Sequence, residues 1–169
     1  MSGRLAVTAP TKSPRCATSE RRIFLIARQV VLSLWVGSLW TVGYLVAPTL
    51  FAVLDDRHLA GEIAGQLFFA ETWLSLICAT FILAPDLIRN FRQAFFRVDN
   101  MLVILSVVFL AGMQWGVRPL VDASRLADGS SGPNFAMWHG VAAGMYLLAS
   151  LSALLVLWRS ASGGDNDAR

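Results

Sequence analysis

The chain is poor in what normally decorates a water-facing surface. Charged residues make up only 15% of its 169 residues, lysine occurs once, at Lys12, and histidine and tyrosine occur twice each. A soluble domain carries about 25% charged residues, so an ordinary water-soluble globule is disfavoured. Cys16 and Cys78 are its two thiols, which excludes a disulfide scaffold. Catalytic signatures are missing as well. There is no Gly-rich phosphate loop, no H-E-x-x-H, no cysteine pairs at zinc spacing and no Gly-x-Ser-x-Gly elbow. No useful internal repeat is present. Apolar residues are abundant instead, at 56%, with a mean hydropathy of +0.58, which excludes disorder.

These apolar residues are gathered into runs. Residues 29–54, 100–117 and 129–158 contain no Asp, Glu, Lys or Arg. A helix needs about 20 residues to cross the hydrocarbon core, so the runs predict spans near 27–50, 99–119 and 135–158. A fourth uncharged run, 72–85, is too short alone. A crossing there must cover about 63–86 and carry Gln66 and Glu71 with it. A re-entrant helix is the alternative, but the distribution of charge favours a crossing. The expected organisation is a basic tail over 1–26, a transmembrane domain over 27–158 and a polar, disordered tail over 159–169. The expected fold is an all-α, integral membrane four-helix bundle.

Basic residues report the topology. Arg4, Lys12, Arg15, Arg21, Arg22 and Arg28 precede the first run, Arg89, Arg92 and Arg97 separate the second from the third, and Arg159 and Arg169 follow the last. The other side has only Arg57, Arg118 and Arg125, diluted by Asp55, Asp56, Asp122 and Asp128. By the positive-inside rule both termini are cytoplasmic. The pI of 9.4 is therefore a topology signal and not a nucleic-acid patch. Glu20-Arg21-Arg22 imitates a twin-arginine export signal, but the apolar run after it is too long and lacks a cleavage site. Pro48, Pro85 and Pro119 are expected near span ends, where a missing amide hydrogen costs least. Trp35, Trp73, Trp115, Trp138 and Trp158 are expected near interfaces, and Trp40 between helices. Asp55-Asp56 reads as a helix N-cap.

In lipid, small and polar residues mark the faces where helices meet. The first span offers Ser33, Gly37, Thr41, Tyr44 and Pro48. The second offers Gly61-x-x-x-Gly65, Phe68, Glu71, Ser75 and Cys78. The third offers Val107, Ala111, Gln114 and Arg118. The fourth offers Gly140-x-x-x-Gly144 beside a stripe of His139, Ala143, Tyr146, Ser150 and Ala153. Helix packing is therefore expected at Gly37, Pro48, Gly61, Gly65, Gly140 and Gly144, and the same faces suit a homo-oligomer.

Ionisable groups at membrane depth are candidates for function. Glu71 lies inside the second span, His139 opens the fourth, and His58 follows the first. Met113 and Met137 fall in the same leaflet. Such a His/Met set suits copper(I) or haem iron. The alternatives are a structural role, with His139 bonding across the bundle to Glu71 while the methionines fill gaps, and a proton or substrate path through Glu71.

Leu34-Trp35-Val36-Gly37, then Val46-Ala47-Pro48-Thr49-Leu50-Phe51, then Leu59-Ala60-Gly61-Glu62-Ile63-Ala64-Gly65-Gln66-Leu67-Phe68 together form a pattern, closed by Phe135-Ala136-Met137-Trp138-His139-Gly140. It resembles the bacterial domain-of-unknown-function 4149 family, which is similar to eukaryotic transmembrane protein 205 and more distantly to copper-resistance D-like membrane proteins. The chain departs from the family at Ala142 and Tyr146, where Ser and Asn are frequent. The resemblance implies a four-helix protein of the bacterial inner membrane without an assigned activity, and its distant members imply haem or copper handling.

The leading expectation is a non-enzymatic scaffold or partner protein acting through helix contacts, with no cofactor, in contact with the lipid bilayer and with other membrane proteins. The alternatives are a metal- or haem-handling protein with an external His/Met site, and a small transport component using Glu71. The topology is directly testable. Reporter fusions after residue 94 are expected to report cytoplasm and those after residue 127 the external side; the reverse pattern overturns it.

Overall fold

A chain in lipid has no water to satisfy its backbone, so each long apolar run closes its hydrogen bonds within itself as a helix. The computed structural model describes residues 14–125 and 132–163. They form α1 (Pro14–Trp40), α2 (Ala47–Val53), α3 (Arg57–Phe96), α4 (Val98–Ala111), α5 (Arg118–Ala123) and α6 (Phe135–Gly163). A π-helical turn, Thr41–Val46, joins α1 to α2, and another, Gly112–Val117, joins α4 to α5. The six helices therefore make four rods. Arg22–Val53, Arg57–Arg89, Val98–Ala123 and Phe135–Ser162 are each long and apolar enough to cross a membrane. The protein is an all-α, multi-pass membrane bundle.

Local chemistry sets the breaks. Asp56 Oδ1 accepts the amide hydrogens of His58 at 2.8 Å and Leu59 at 3.2 Å, capping the N-terminus of α3. None of the three prolines ends its rod. Pro85 sits inside the 40-residue α3, and the other two lie just beyond the π-turns. A proline has no amide hydrogen for the carbonyl four residues back, and its ring crowds that carbonyl. The preceding turn widens, so that Ala47 N–H reaches back five residues to Val42 O and Arg118 N–H to Met113 O. Helix also extends beyond the apolar runs. It starts at Pro14 and continues through residues 160–163, part of the tail expected to be disordered. Arg4, Lys12, Asp128 and Arg169 lie outside the described residues.

The interior is filled by bulk. Leu32, Trp35 and Leu39 of the first rod meet Ile82 of the second, Val103 and Leu110 of the third, and Ala149, Ala153 and Val156 of the fourth. Trp35 is fully buried and donates its indole N–H to Ser75 Oγ at 2.8 Å, whereas Trp40 is exposed and packs at a tilt against Tyr44. This reverses the expected roles of the two tryptophans. It also corrects the packing face of the first rod. Ser33, Gly37 and Thr41 are exposed, because Leu32, Trp35, Val36 and Leu39 occupy the space between rods, whereas Tyr44, half-exposed, does meet the fourth rod. A Cβ on Gly37, Gly140 or Gly144 would meet nothing within 4 Å. These three glycines, expected at helix contacts, face outward.

Close approach occurs at Gly43, a position the spacing argument passed over. A Cβ there would collide with the ring of Tyr146. That ring packs edge-on to Phe68, with centroids 5.0 Å apart, and its hydroxyl donates to Leu39 O at 2.7 Å. Tyr44 and Ser150 hydroxyls add a 2.7 Å hydrogen bond between the same two rods. At the end holding the termini, polar ties link all four rods. Arg97 pairs with Asp86 at 3.1 Å, Asn100 Nδ2 donates to Asp86 at 3.2 Å, Arg159 pairs with Asp99 at 2.7 Å, and Ser160 donates to Gln29 at 2.7 Å. Partly exposed pairs of this kind are worth about 0–1 kcal/mol each, so they set register more than stability.

The two classes of glycine predict opposite responses. Gly43→Ala is expected to destabilise by about 1–3 kcal/mol, since an aromatic ring cannot yield. Gly37→Ala and Gly144→Ala are expected to be neutral or to stabilise by about 0.5–1 kcal/mol through lower chain entropy. Thermal unfolding in detergent reads both, and equal losses at all three sites would contradict the packing described.

Candidate functional site

Above the Gly43–Tyr146 contact the rods separate. α2 packs on α3 but not to a comparable extent on α6, although α1 and α6 are packed lower down. A cavity of about 460 Å³ results, at the end opposite the termini, with walls from all four rods. Its floor is aromatic and small: Gly43, Phe68, Tyr146 and Ala142. Both π-turns contribute to its walls, through Gly43 and Tyr44 on one side and Met113 and Gln114 on the other. A π-turn shifts the helical register, and here it aims side chains inward that a continuous α-helix would place elsewhere.

The rim is cationic. Arg57, Gly61 and Gly65 recur every fourth residue on one face of α3, so they stand one turn apart, about 6 Å each. The two glycines hold arginines from elsewhere in the chain. A Cβ on Gly61 would lie 2.8 Å from Arg125 Nη2, and one on Gly65 would lie 2.7 Å from Arg118 Nη2. Arg118 Nη1 donates to Gly65 O at 2.9 Å. The Gly61-x-x-x-Gly65 motif therefore accommodates guanidinium groups and not another helix backbone. The guanidinium of Arg125 lies 5.4 Å from the centroid of Phe135, whose ring stacks on His139 at 5.6 Å.

Counter-charge is sparse. Among the described residues lining the cavity, Asp122 is the one carboxylate, 3.8 Å from Arg118 and largely exposed. Neither Arg57 nor Arg125 has an ion pair with a described residue. Two buried polar atoms on the lining also lack a hydrogen-bond partner, Gln114 Oε1 and Arg125 Nε. Gln114 is only 7% exposed. A buried amide oxygen without a donor is costly, and such groups are rare in folded proteins.

The sequence-predicted site residues divide. His58, His139 and Met113 line the cavity, as do Pro48, Gly61 and Gly65. Glu71 and Met137 do not. Glu71 sits one turn deeper than Phe68, 4% exposed, and accepts a 3.0 Å hydrogen bond from Ser38 Oγ, not from His139. Met137 is two residues before His139, about 200° around the helix, and is 55% exposed on the other face. Among the described residues, no group of three or more His, Cys, Asp and Glu could hold a metal ion. The residues missed as a site are the arginines. Their signal was visible, since Arg57, Arg118 and Arg125 are the whole basic complement of that side of the sequence. What brings them onto one glycine face was not.

A family model for a domain of unknown function (DUF4149) matches residues 30–125, more than half of the chain. The chain belongs to the DUF4149 family. The DUF4149 match takes in most of the membrane-length part of the first rod, the second and third rods and all three rim arginines, and stops short of α6 with His139 and Tyr146. No curated protein and no solved structure matches the chain.

The glycine cradle makes its own prediction. Gly61→Val and Gly65→Val are expected to push the guanidinium ends aside at a cost of less than about 1 kcal/mol, because arginine tips are flexible and one hydrogen bond at most is lost. Thermal unfolding should rank both variants above Gly43→Ala in stability, and the opposite ranking would mean that the glycines meet backbone.

Proposed function

We propose that this protein is a membrane-embedded binding protein whose cavity takes a small anionic ligand. The observation that carries this reading is the imbalance of charge on one concave surface: among the described residues, three guanidinium groups face a single, exposed carboxylate. Low-dielectric walls strengthen the attraction of such a surface for an anion and its repulsion of cations. Binding is favoured over catalysis because the described lining contains no serine, threonine, cysteine or lysine, and no hydrogen bond pairs its histidines, tyrosines or Asp122 as nucleophile and base. With the termini cytoplasmic, as the basic residues indicate, the cavity opens on the external side of a bacterial inner membrane.

The scaffold reading now depends on Gly37, Gly140 and Gly144, which are outward and free to meet another chain. Copper(I) fits poorly beside three arginines. Haem fits better, since its propionates are anions and His58, His139 and Met113 line the same cavity. Glu71, enclosed below the floor by Ser38, is not exposed to the cavity as a coupling group would need to be.

The test is a thermal-shift titration of the full chain in a non-ionic detergent, with inorganic phosphate, glycerol 3-phosphate, small carboxylates and haem. Stabilisation is expected to rise with anion concentration, reaching about 2.7 kcal/mol at 100 times Kd, and to vanish in Arg57→Gln/Arg125→Gln. No arginine-dependent shift with any of these anions would refute the reading. A Soret band sensitive to His139→Ala would select haem as the anion.

A further inference from the structure

The cavity is open sideways as well as at its end. Tyr44, Pro48 and Phe51 of the first rod and His139 and Ala143 of the fourth line it and are also exposed, so the gap between these rods leads from the cavity into the surrounding lipid. The lining is graded by depth. Arg57, Arg118 and Arg125 stand at the rim, Gln114 lies one turn below Arg118 on the third rod, and Met113, Phe68 and Tyr146 form an apolar base. A ligand matching this order has a charged group, then a hydrogen-bonding group about 6 Å deeper, then hydrocarbon.

We propose that the cavity binds a single-chain phospholipid, a lysophospholipid with a free hydroxyl between its phosphate and its chain. This rests on the anion-binding reading above and names the ligand class. The phosphate takes the guanidinium groups of Arg118 and Arg125, whose tips lie on Gly65 and Gly61, and Arg57 adds charge at the mouth. Arginine suits this because its planar donors match phosphate oxygens. The glycerol hydroxyl supplies Gln114 with the partner that the protein withholds. A hydroxyl both donates and accepts, so it serves either orientation of the amide. The chain crosses the apolar base and leaves through the gap between the first and fourth rods. The floor of Gly43 and Tyr146 blocks a straight descent, which is why the gap is needed. A free phosphate ester satisfies the rim but leaves the apolar base unfilled. A lipid with both hydroxyls of its backbone glycerol esterified has no donor between its phosphate and its chains for Gln114.

Native mass spectrometry of the full chain, released from a maltoside detergent, can measure these affinities. Lysophosphatidic acid is expected to bind at least about tenfold more tightly than glycerol 3-phosphate, since chain burial adds to the phosphate contacts. An analogue lacking the hydroxyl next to the phosphate-bearing carbon is expected to bind about tenfold more weakly than its parent. In Gln114→Leu the parent and the deoxy analogue should bind alike, a coupling that a purely structural glutamine would not produce. If Gln114→Leu fails to elute as a monodisperse species, Gln114→Glu replaces it: its carboxylate accepts the hydroxyl but never donates, so preference for the parent over the deoxy analogue should persist. Arginine-dependent binding of glycerol 3-phosphate with no gain from the chain would overturn the lipid assignment and leave the anion reading standing. Equal binding of parent and deoxy analogue by the unmodified protein would overturn the role of the hydroxyl. Absence of arginine-dependent binding by every phosphate compound would remove both.

Discussion

The contact of Tyr146 with Gly43 divides this bundle. Only a glycine lets the ring of Tyr146 reach the first rod closely enough for its hydroxyl to donate to Leu39 O. On the side of the termini the four rods close around Trp35, Leu32 and Leu39. On the other side nothing of comparable size bridges the first and fourth rods, and the cavity begins. In lipid, where apolar burial gives helices no reason to associate, packing and a few interhelical hydrogen bonds must hold rods together. Tyr146 supplies both at one point.

The two π-turns explain how the open half holds its shape. Pro48 and Pro119 each remove a backbone donor, and the ladder before each slips by one residue. The slip turns Gly43 toward Tyr146 in one rod and Met113 and Gln114 toward the cavity in the other. The polar ties at the far end, from Asp86 to Arg97 and from Asp99 to Arg159, keep the rods in register while the open end diverges. Closure and opening are thus separated along the membrane normal. Glu71 belongs to the closed half, which is why it bonds to Ser38 and not to the histidines above it.

Glycine spacing was the least reliable guide to packing. Gly140-x-x-x-Gly144 and Gly61-x-x-x-Gly65 look alike in the sequence. The first pair meets nothing, whereas the second holds two arginine tips. The difference lies in what the neighbouring rods carry. Opposite Gly61 and Gly65 stand Arg118 and Arg125, long side chains whose flexible tips settle into the space that the missing Cβ atoms leave. Charge was a better guide, because the cost of burying a guanidinium confines it to places where polar groups or an opening receive it. The arginines were noticed only as a weak topology signal, and Gln114 only as part of a helix stripe. Neither pattern says that four rods will leave space between them.

The sequence by itself determined that the chain is helical, that it has four membrane-length helices, and that its basic residues are distributed unequally between the two ends. Those properties follow from run length, transfer energy and charge, all of which add up along the chain without regard to neighbours. Only the tertiary structure decided which glycines touch anything, which tryptophan is inside, and that Arg57, Arg118, Arg125 and Gln114 share one cavity. These depend on the rotation of each rod about its axis. That rotation is set by a single aromatic contact and two slipped helical turns, and a change of one residue in helical phase moves a side chain by about 100°.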